Sequence, residues 1–242
     1  MKLGVFGRGR LGSALRQVAG DAIAWQIGRT ELATFDAPAV DVLVDVSIGA
    51  ALDQHLEFAL ARRTPLVIGT TGWSMPELER RVGSRIGVLV APNFSLTIAF
   101  LTRLVGLMGR YAMLDPAADV FIAEHHHARK KDAPSGTAKI FAQALLEQCP
   151  KKTRWTLAPA ERALAQDELC VSVLRGGHTA SSHDITVDTP GEAITLTHAA
   201  RDLSPYARGA LDAARWIRGR SGVFTMADVA AERLDPLFAA GK

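Results

Sequence analysis

The sequence predicts an α/β fold in which a parallel sheet with helices on both faces is followed by a second domain with a different sheet. Short apolar runs alternate with amphipathic segments over about residues 1–95, the order that builds parallel sheets. After Asn93 the pattern changes, and the later strand candidates have one apolar and one more polar face. This change of period places the domain boundary near residue 95.

The strands predicted in the first part are nearly continuous apolar runs, as expected for strands covered on both faces. They are residues 3–6, 22–27, 42–46, 65–68 and 87–90. Amphipathic segments between them, such as residues 11–19 and 50–61, predict helices. Together these elements predict a domain formed by residues 1–95.

The second part opens with a predicted helix over residues 95–111 and a strand that ends at Ala123 and Glu124. A polar loop and a helix over residues 135–148 follow. Three strands with alternating faces are predicted at residues 170–175, 182–188 and 193–199. Their alternation indicates an α+β domain with one face of its sheet covered.

The C-terminal segment predicts one more helix over residues 204–218. Ser204 is the expected N-cap, and Pro205 occupies the first helical position, where proline is favoured. An apolar patch at residues 222–226 and a helical stretch complete the chain.

The composition excludes several classes of protein. Of the 242 residues, 48% are hydrophobic and 22% are charged, so the chain can bury a core and is not disordered. A net charge of +3 is too small for a nucleic-acid-coating surface. The two cysteines lack the spacing of a disulfide framework or a structural zinc site. Without a signal peptide or a long apolar run, a cytoplasmic protein that does not enter a membrane is expected.

A glycine-rich turn follows the first predicted strand directly and opens the first predicted helix. Its residues are Gly7, Arg8, Gly9, Arg10, Leu11 and Gly12. Glycines at such a turn let a pyrophosphate approach the backbone N–H groups at the positive end of the helix. The turn therefore predicts a dinucleotide-binding site. A purely structural glycine turn is the alternative, and it predicts no affinity for nucleotides.

The residues after the second predicted strand bear on the choice of coenzyme. A carboxylate there binds the ribose 2′-hydroxyl of NAD, whereas an arginine accommodates the 2′-phosphate of NADP. Gly28 and Arg29 follow the strand, which favours NADPH slightly, while Glu31 keeps NADH open. The alternative for Arg29 is an arginine exposed in a loop.

The densest group of chemically active side chains lies before the predicted helix at residues 135–148. His125, His126 and His127 are followed by Arg129, Lys130 and Lys131. Consecutive histidines on an extended chain point to alternate sides, so no metal site is predicted.

Ser135, Gly136 and Thr137 open that helix, with Ser135 as the expected N-cap. A helix start with open N–H groups binds carboxylates, and the nearby basic side chains reinforce an anion there. Imidazole and ammonium groups beside such a turn are typical of a general acid that protonates a substrate carbon or nitrogen. The alternative is an exposed basic loop before an ordinary capped helix.

This segment resembles the signature of the 4-hydroxy-tetrahydrodipicolinate reductase (dihydrodipicolinate reductase) family. The matching residues are Glu124, His126, His127, Lys130, Asp132, Ala133, Pro134, Ser135, Gly136, Thr137 and Ala138. Further similarity lies at residues 45–47, 69–72, 91–95, 177–179, 192–198, 209–211 and 222–229. The resemblance therefore covers nearly the whole chain.

The resemblance implies an N-terminal Rossmann-like dinucleotide-binding domain, residues 1–95, completed by about residues 206–242. It implies that residues 96–205 form a substrate-binding and oligomerisation domain with a mixed open sheet, and that the protein is a homotetramer. The implied reaction is the reduction of 4-hydroxy-tetrahydrodipicolinate, a small dicarboxylate, to tetrahydrodipicolinate. NADPH or NADH is the reductant, and the product serves lysine synthesis through diaminopimelate.

The resemblance also implies roles for individual residues. His126 is a proton donor or acceptor and Lys130 the proton donor, while His127, Ser135, Gly136 and Thr137 hold the substrate carboxylates. The glycine turn holds the pyrophosphate, and the nicotinamide half is lined by Gly69, Thr70, Thr71, Ala91, Pro92, Asn93 and Phe94. The chain departs from the family pattern in its turn, which is one residue shorter, and at Gly28, where an acidic residue is usual.

Two alternative functions remain open. One is a related NAD(P)-dependent amino-acid dehydrogenase, and the other is a non-catalytic dinucleotide sensor. Both share the glycine turn. Neither accounts for the full run of His126, His127, Lys130 and the Ser-Gly-Thr turn at residues 135–137.

Overall fold

A computed structural model of the chain describes residues 1–28, 35–158, 161–178 and 181–239. The chain divides into two compact units, one formed by Met1–Leu96 with Leu203–Lys242 and the other by Thr97–Asp202. Both units contain helices and strands, which confirms the predicted α/β class.

The elements follow one another in this order along the chain. The first unit begins with β1 (Leu3–Phe6), α1 (Arg10–Ala19), β2 (Ile23–Ile27), β3 (Val42–Asp45), α2 (Leu52–Ala61), β4 (Leu66–Ile68), α3 (Leu78–Val82) and β5 (Gly87–Val90). Next come α4 (Leu96–Ala112), β6 (Asp119–His126), α5 (Gly136–Gln148), β7 (Arg154–Ala158), β8 (Glu168–Arg175), β9 (Ser181–Asp188) and β10 (Ala193–Ala200). The chain then forms α6 (Ser204–Ile217), β11 (Gly222–Thr225) and α7 (Met226–Phe238).

The first unit is built on a six-stranded parallel sheet with the order β11-β5-β4-β3-β1-β2. Successive strand residues point to opposite faces, and both faces are apolar because helices cover both. Leu3 and Val44 face a cluster that includes α1 and α6. Phe6 and Leu43 face a second cluster with α2. Because these strands are parallel, the carboxyl ends of β1, β3, β4 and β5 lie along the same edge of the sheet, and the loops that follow them lie there too.

The second unit is built on a five-stranded mixed sheet with the order β10-β9-β6-β8-β7. Strands β6, β7 and β8 are parallel, whereas β9 and β10 run antiparallel to their neighbours. Helices α4 and α5 pack on one face, against strand residues such as Val120, Ile122 and Val171. On the other face the β6 side chains, including Phe121 and Ala123, are half-buried. The mixed sheet is thus covered by helices on one side.

The structure differs from the sequence-based prediction in several local details. Strand β6 continues two residues past Glu124 to His126. Helix α6 begins at Ser204 itself with Leu203 as its N-cap, so the prediction of Ser204 as the cap was wrong by one residue. Helix α3 and the edge strand β7 were not predicted, because both are short and β7 is largely exposed. Among the described residues, no helix combines the length and apolar character needed to cross a bilayer.

Candidate active site

The glycine turn lies at the carboxyl end of β1, and its three glycines have different surroundings. Gly7 has φ 116°, a conformation that favours glycine. A Cβ on Gly12 would collide with the carbonyl oxygen of Gly7. At Gly9, the N-cap of α1, a Cβ would meet no atom within 4 Å. The open space above Gly9 leaves the helix N-terminus accessible to a pyrophosphate group, so the turn fits a dinucleotide.

Basic side chains surround this turn. The Arg8 guanidinium donates to the carbonyl oxygen of Gln26 at 3.0 Å, which holds it at the end of β2. Arg8 and Gln26 line an open cavity of about 730 Å³ together with Arg16 and Ser13 of α1. Two arginines therefore face a space beside the turn that suits a phosphate group. Arg29 and Glu31, on which the choice of coenzyme depends, lie outside the described residues.

The predicted nicotinamide-side residues lie in the loops after β4 and β5. The N–H groups of Gly69 and Thr70 donate to the carbonyl oxygen of Asp45 at 2.8 and 3.2 Å. Phe94 is buried against Gly69, where a Cβ would clash with the ring. The exposed Thr71 and Pro92 and the half-buried Asn93 lie in the same loops, and Ala91 directly follows β5. The structure thus places all seven residues at the edge of the sheet where β1 carries the glycine turn.

A buried carboxylate connects the loop after β3 with the loop after β4. Oδ1 of Asp45 accepts from the backbone N–H of Ser47 at 3.0 Å and from the hydroxyls of Ser47 and Thr70 at 2.7 and 2.6 Å. Oδ2 lies 2.7 Å from Nδ1 of His55. Burial by itself raises the pKa of Asp45, but hydrogen bonds from His55, Thr70 and Ser47 outweigh it and hold the pKa below its usual range.

The predicted substrate side lies in the second unit, where Ser135 caps α5. Its hydroxyl accepts from the N–H of Ala138 at 3.1 Å. Since this bond satisfies the third N–H of the helix, the N–H groups of Gly136 and Thr137 remain at the helix tip, and a Cβ on Gly136 would meet open space. The turn therefore leaves two N–H groups for an anion, and a carboxylate there stays the prediction of the sequence.

Glu124 is the centre of the polar contacts behind this turn. It is 3% exposed, and its two oxygens accept from the N–H of Ser135 at 3.0 and 3.1 Å. Nη2 of Arg175 donates to Oε1 at 2.6 Å. Nε2 of His126 and Nε2 of His183 each lie 3.5 Å from Oε2, and His183 also lies 3.0 Å from the Ser135 hydroxyl.

These contacts set the ionisation of Glu124. Burial by itself raises its pKa, but hydrogen bonds from His183, Ser135 and Arg175 are stronger and hold the pKa well below the usual range of a glutamate. The carboxylate is therefore ionised at neutral pH.

Lys130 is joined to the same network through Asp132. Its ammonium group lies 2.7 and 2.9 Å from the two oxygens of Asp132, and the hydrogen bond from Lys130 lowers the pKa of that carboxyl. The carbonyl oxygen of Asp132 accepts from Nη2 of Arg175 at 2.7 Å. Arg175 thus ties the Lys130 loop to Glu124.

The remaining histidines occupy different positions. His125 points to the other face of β6 and lies 3.0 Å from the carbonyl oxygen of Gly176, as its alternation with His126 requires. The carbonyl oxygen of His127 accepts from the N–H of Lys130 at 3.1 Å, which closes the turn between them. His198 stacks near His183, and burial followed by the charge of His183 lowers the pKa of His198.

Glu124, His126 and His183 bring three potential metal ligands within 4.8 Å of one another. Sequence reasoning did not foresee this group, because His183 belongs to a distant strand. The Glu124 oxygens already accept from Arg175 and from Ser135 N–H, so a cation there would compete with a guanidinium. The donor set therefore suits a hydrogen-bonded carboxylate better than a metal centre.

The fold and the two groups of residues define a class of protein. A parallel-sheet unit with an open glycine turn, and a second unit with imidazoles, a lysine and a carboxylate-binding helix start, are typical of a dinucleotide-dependent oxidoreductase that acts on a small acid.

Comparison with known proteins identifies the family. The family model for Dihydrodipicolinate reductase, N-terminus, matches residues 21–94, and that for Dihydrodipicolinate reductase, C-terminus, matches residues 97–230. The 4-hydroxy-tetrahydrodipicolinate reductase of Zymomonas mobilis is 36% identical, with 95% of this chain and 96% of the relative covered. The enzyme of the same name from Alkaliphilus oremlandii is 34% identical, with 95% and 98% covered. The chain belongs to the dihydrodipicolinate reductase family.

A solved structure supports the fold. Dipicolinate-bound dihydrodipicolinate reductase from Paenisporosarcina sp. TG-14 matches with a TM-score of 0.72 and 20% sequence identity. The match covers 93% of this chain and 97% of the other. The two proteins therefore share their architecture.

Proposed function

We propose that the chain reduces 4-hydroxy-tetrahydrodipicolinate to tetrahydrodipicolinate with NAD(P)H, a step of lysine biosynthesis through diaminopimelate. Family membership over nearly the whole chain supports the reaction. The observation in the structure that carries it is the capped start of α5, held by Glu124 and flanked by imidazoles. A dicarboxylate substrate whose ring must take up a proton after hydride transfer needs both a turn that binds its carboxylates and a nearby proton donor.

The 4-hydroxyl group of the substrate must leave as water, and NAD(P)H, when bound, would supply a hydride to the conjugated imine that this loss creates, leaving an enamine that takes up a proton. On the coenzyme side, Gly7 to Gly12 present the α1 N-terminus to the pyrophosphate, with Arg8 and Arg10 beside it. Gly69, Thr70, Thr71 and residues 91–94 line the nicotinamide half. We propose a slight preference for NADPH through Arg29, which follows β2 in the sequence.

On the substrate side, the N–H groups of Gly136 and Thr137, the Ser135 hydroxyl and His127 bind the carboxylates. Nζ of Lys130 donates a proton to the electron-rich product of hydride addition, and His126 donates or accepts a proton in the same step. The Glu124 carboxylate accepts from the Ser135 N–H and lies 3.5 Å from Nε2 of both His126 and His183, so it holds the start of α5 beside the two imidazoles. Asp132 holds the Lys130 ammonium group in place until substrate binds.

The two compact units take separate roles in this proposal. The parallel-sheet unit binds the coenzyme, and the mixed-sheet unit binds substrate and mediates assembly. One face of the mixed sheet carries half-buried side chains and the 59% exposed Leu174, and this face supports a homotetramer in which partner subunits cover it. We further propose that the enzyme acts in the cytoplasm, without nucleic-acid or membrane partners.

The decisive assay combines this protein with aspartate semialdehyde, pyruvate and the upstream synthase, and follows oxidation of NADPH and of NADH. Loss of the nicotinamide absorbance that depends on both carbon substrates supports the reductase. Coenzyme binding without turnover would favour the dinucleotide sensor. Oxidation with a free α-imino acid in place of the synthase product would favour an amino-acid dehydrogenase.

Variants at the proposed proton donors test the site. Lys130→Ala and His126→Ala should each lower kcat about 10²- to 10⁴-fold, because each removes a positioned acid from the reacting ring. The dissociation constant for NADPH should change less than about threefold, since neither side chain belongs to the coenzyme half. Lys131→Ala is the matched control, because Lys131 is an exposed neighbour outside the network. Wild-type turnover in both donor variants would overturn the assignment.

A further inference from the structure

A buried aspartate–histidine pair in the first unit has no part in the chemistry described above. Asp45 is the last residue of β3 and is 0% exposed, and His55 of α2 is 1% exposed. Their side chains are joined by a contact of 2.7 Å between Oδ2 and Nδ1. Burying a carboxylate and an imidazole in place of apolar side chains rarely adds stability, so the pair has to be explained by what else it holds.

The second carboxylate oxygen shows what the pair holds. Oδ1 accepts from the hydroxyls of Thr70 and Ser47, and the Ser47 N–H also lies 2.8 Å from the Thr70 hydroxyl oxygen. The carbonyl oxygen of Asp45 accepts from the N–H groups of Gly69 and Thr70. Asp45 therefore fixes both the backbone and the side chain of the loop after β4.

His55 orients Asp45 and also contacts β1, the strand that leads into the glycine turn. Its ring stacks on the ring of Phe6, with centroids 3.9 Å apart and an angle of 7° between the planes. Phe6 is the last residue of β1, directly before Gly7. Nε2 of His55 is buried and has no partner among the residues that the structure describes, so the proton belongs on Nδ1, where Asp45 accepts it.

We propose that Asp45 and His55 are positioning residues that fix Thr70 and the loop at residues 69–72 for the nicotinamide half of the coenzyme. His55 donates its Nδ1 proton to Oδ2, which turns Oδ1 toward Thr70 and Ser47. The stacking on Phe6 holds the same imidazole against the strand that leads into the glycine turn. This proposal rests on the proposed function, because it concerns how the same coenzyme is held.

Two substitutions at His55 separate the hydrogen bond from the packing. His55→Phe preserves a flat ring against Phe6 and removes the Nδ1 donor. His55→Asn places an amide N–H close to the position of Nδ1 and loses the ring. If the donor positions the loop, asparagine should bind coenzyme better than phenylalanine, although phenylalanine packs better.

The readout compares the whole coenzyme with its adenosine half. Dissociation constants are measured for NADPH and for 2′,5′-ADP, and in parallel for NADH and AMP. For His55→Phe we expect the NADPH constant to rise about tenfold, the factor for one lost hydrogen bond to a charged group, and that for 2′,5′-ADP to change less than about twofold. His55→Asn should recover most of the NADPH affinity. The Michaelis constant for NADPH should rise more than kcat falls.

Ser47→Ala provides a second variant should His55→Phe fail to fold. It removes one hydroxyl donor to Oδ1 and leaves the His55 contact intact, so a smaller loss of about threefold, again confined to NADPH, is expected. Equal losses for NADPH and 2′,5′-ADP, or no loss for either in a folded variant, would overturn the positioning role. Failure of the wild-type protein to bind NADPH and NADH would instead count against the proposed function, so the two failures are distinguishable.

Discussion

The two units each bury a carboxylate behind a loop that carries predicted binding residues, but they surround it with different partners. Asp45 in the first unit is held by two hydroxyls, one backbone N–H and the imidazole of His55. Glu124 in the second unit is held by the Arg175 guanidinium and a backbone N–H, with two imidazoles 3.5 Å away.

This difference determines whether each site tolerates a neutral side chain in place of its carboxylate. A hydroxyl can rotate its proton, and a neutral imidazole can move its proton from one ring nitrogen to the other. A guanidinium and a backbone N–H are donors in every state. The surroundings of Asp45 can therefore adapt to a neutral partner, whereas those of Glu124 require an anion.

The largest effect is expected for Glu124→Gln. Its amide NH₂ group would replace an acceptor that faces Arg175 or the Ser135 N–H, and the guanidinium would lose its counter-charge inside the protein. The free energy of unfolding should fall by about 3 kcal/mol or more at neutral pH, the range for breaking a buried ion pair. Urea unfolding followed by circular dichroism measures the loss.

Glu147→Gln is the control for this substitution. Glu147 lies exposed on α5 and contacts Gln143, so its loss should change stability by less than about 0.5 kcal/mol. A Glu124→Gln protein as stable as this control would show that the surroundings of Glu124 do not require an anion.

The second effect is the pH dependence of the Glu124 contribution. The folded pKa is held below the unfolded value of about 4.3, so the carboxylate stabilises the fold at pH values above the unfolded pKa. This contribution is lost as the pH falls from there toward the folded pKa. The difference in unfolding free energy between wild type and Glu124→Gln should thus not shrink between pH 7 and about 5. It should then shrink by up to about 1.4 kcal/mol per pH unit.

Taking the difference between the two proteins cancels the titration of groups that do not interact with Glu124. The measurement is a series of urea titrations of both proteins at half-unit pH intervals. A difference that already shrinks between pH 7 and 5 would mean that Arg175 and Ser135 do not hold the Glu124 carboxylate in its charged form.

Much of both sites could be predicted from the sequence, because local patterns encode them. The glycine turn directly follows an apolar strand, and the structure confirms Ser135 as an N-cap that binds the third N–H of its helix. The family signature located Lys130 and His126 in the same way. These features depend on neighbours within about six residues, and such spacings are visible in a single sequence.

The partners of Glu124 were missed because strand register brings them together. In the mixed sheet Glu124 pairs with His183 across β9, and His126 pairs with Arg175 across β8. No local pattern reports which residues of two distant strands stand side by side. One signal was available, since His183 alternates with Ile185 and Val187 on the apolar face of its strand. A titratable residue on such a face needs a buried partner.

The smallest effect is expected for Asp45→Asn, and it tests the comparison from the other side. The amide oxygen can still accept from Thr70 and Ser47, and its NH₂ group can donate to Nδ1 of His55 once the imidazole carries its proton on Nε2. That tautomer leaves a buried N–H on Nε2, so the free energy of unfolding should fall by about 1–2 kcal/mol, less than for Glu124→Gln. The tautomer change is observable by ¹⁵N NMR of the His55 ring. Adding His55→Phe to Asp45→Asn should cost less than the two single losses combined, because the double variant has neither the buried N–H on Nε2 nor an unpaired buried carboxylate. A loss for Asp45→Asn as large as that for Glu124→Gln would mean that Asp45, too, must be an anion. The ability of His55 to change its tautomer would then not let the site accept a neutral side chain.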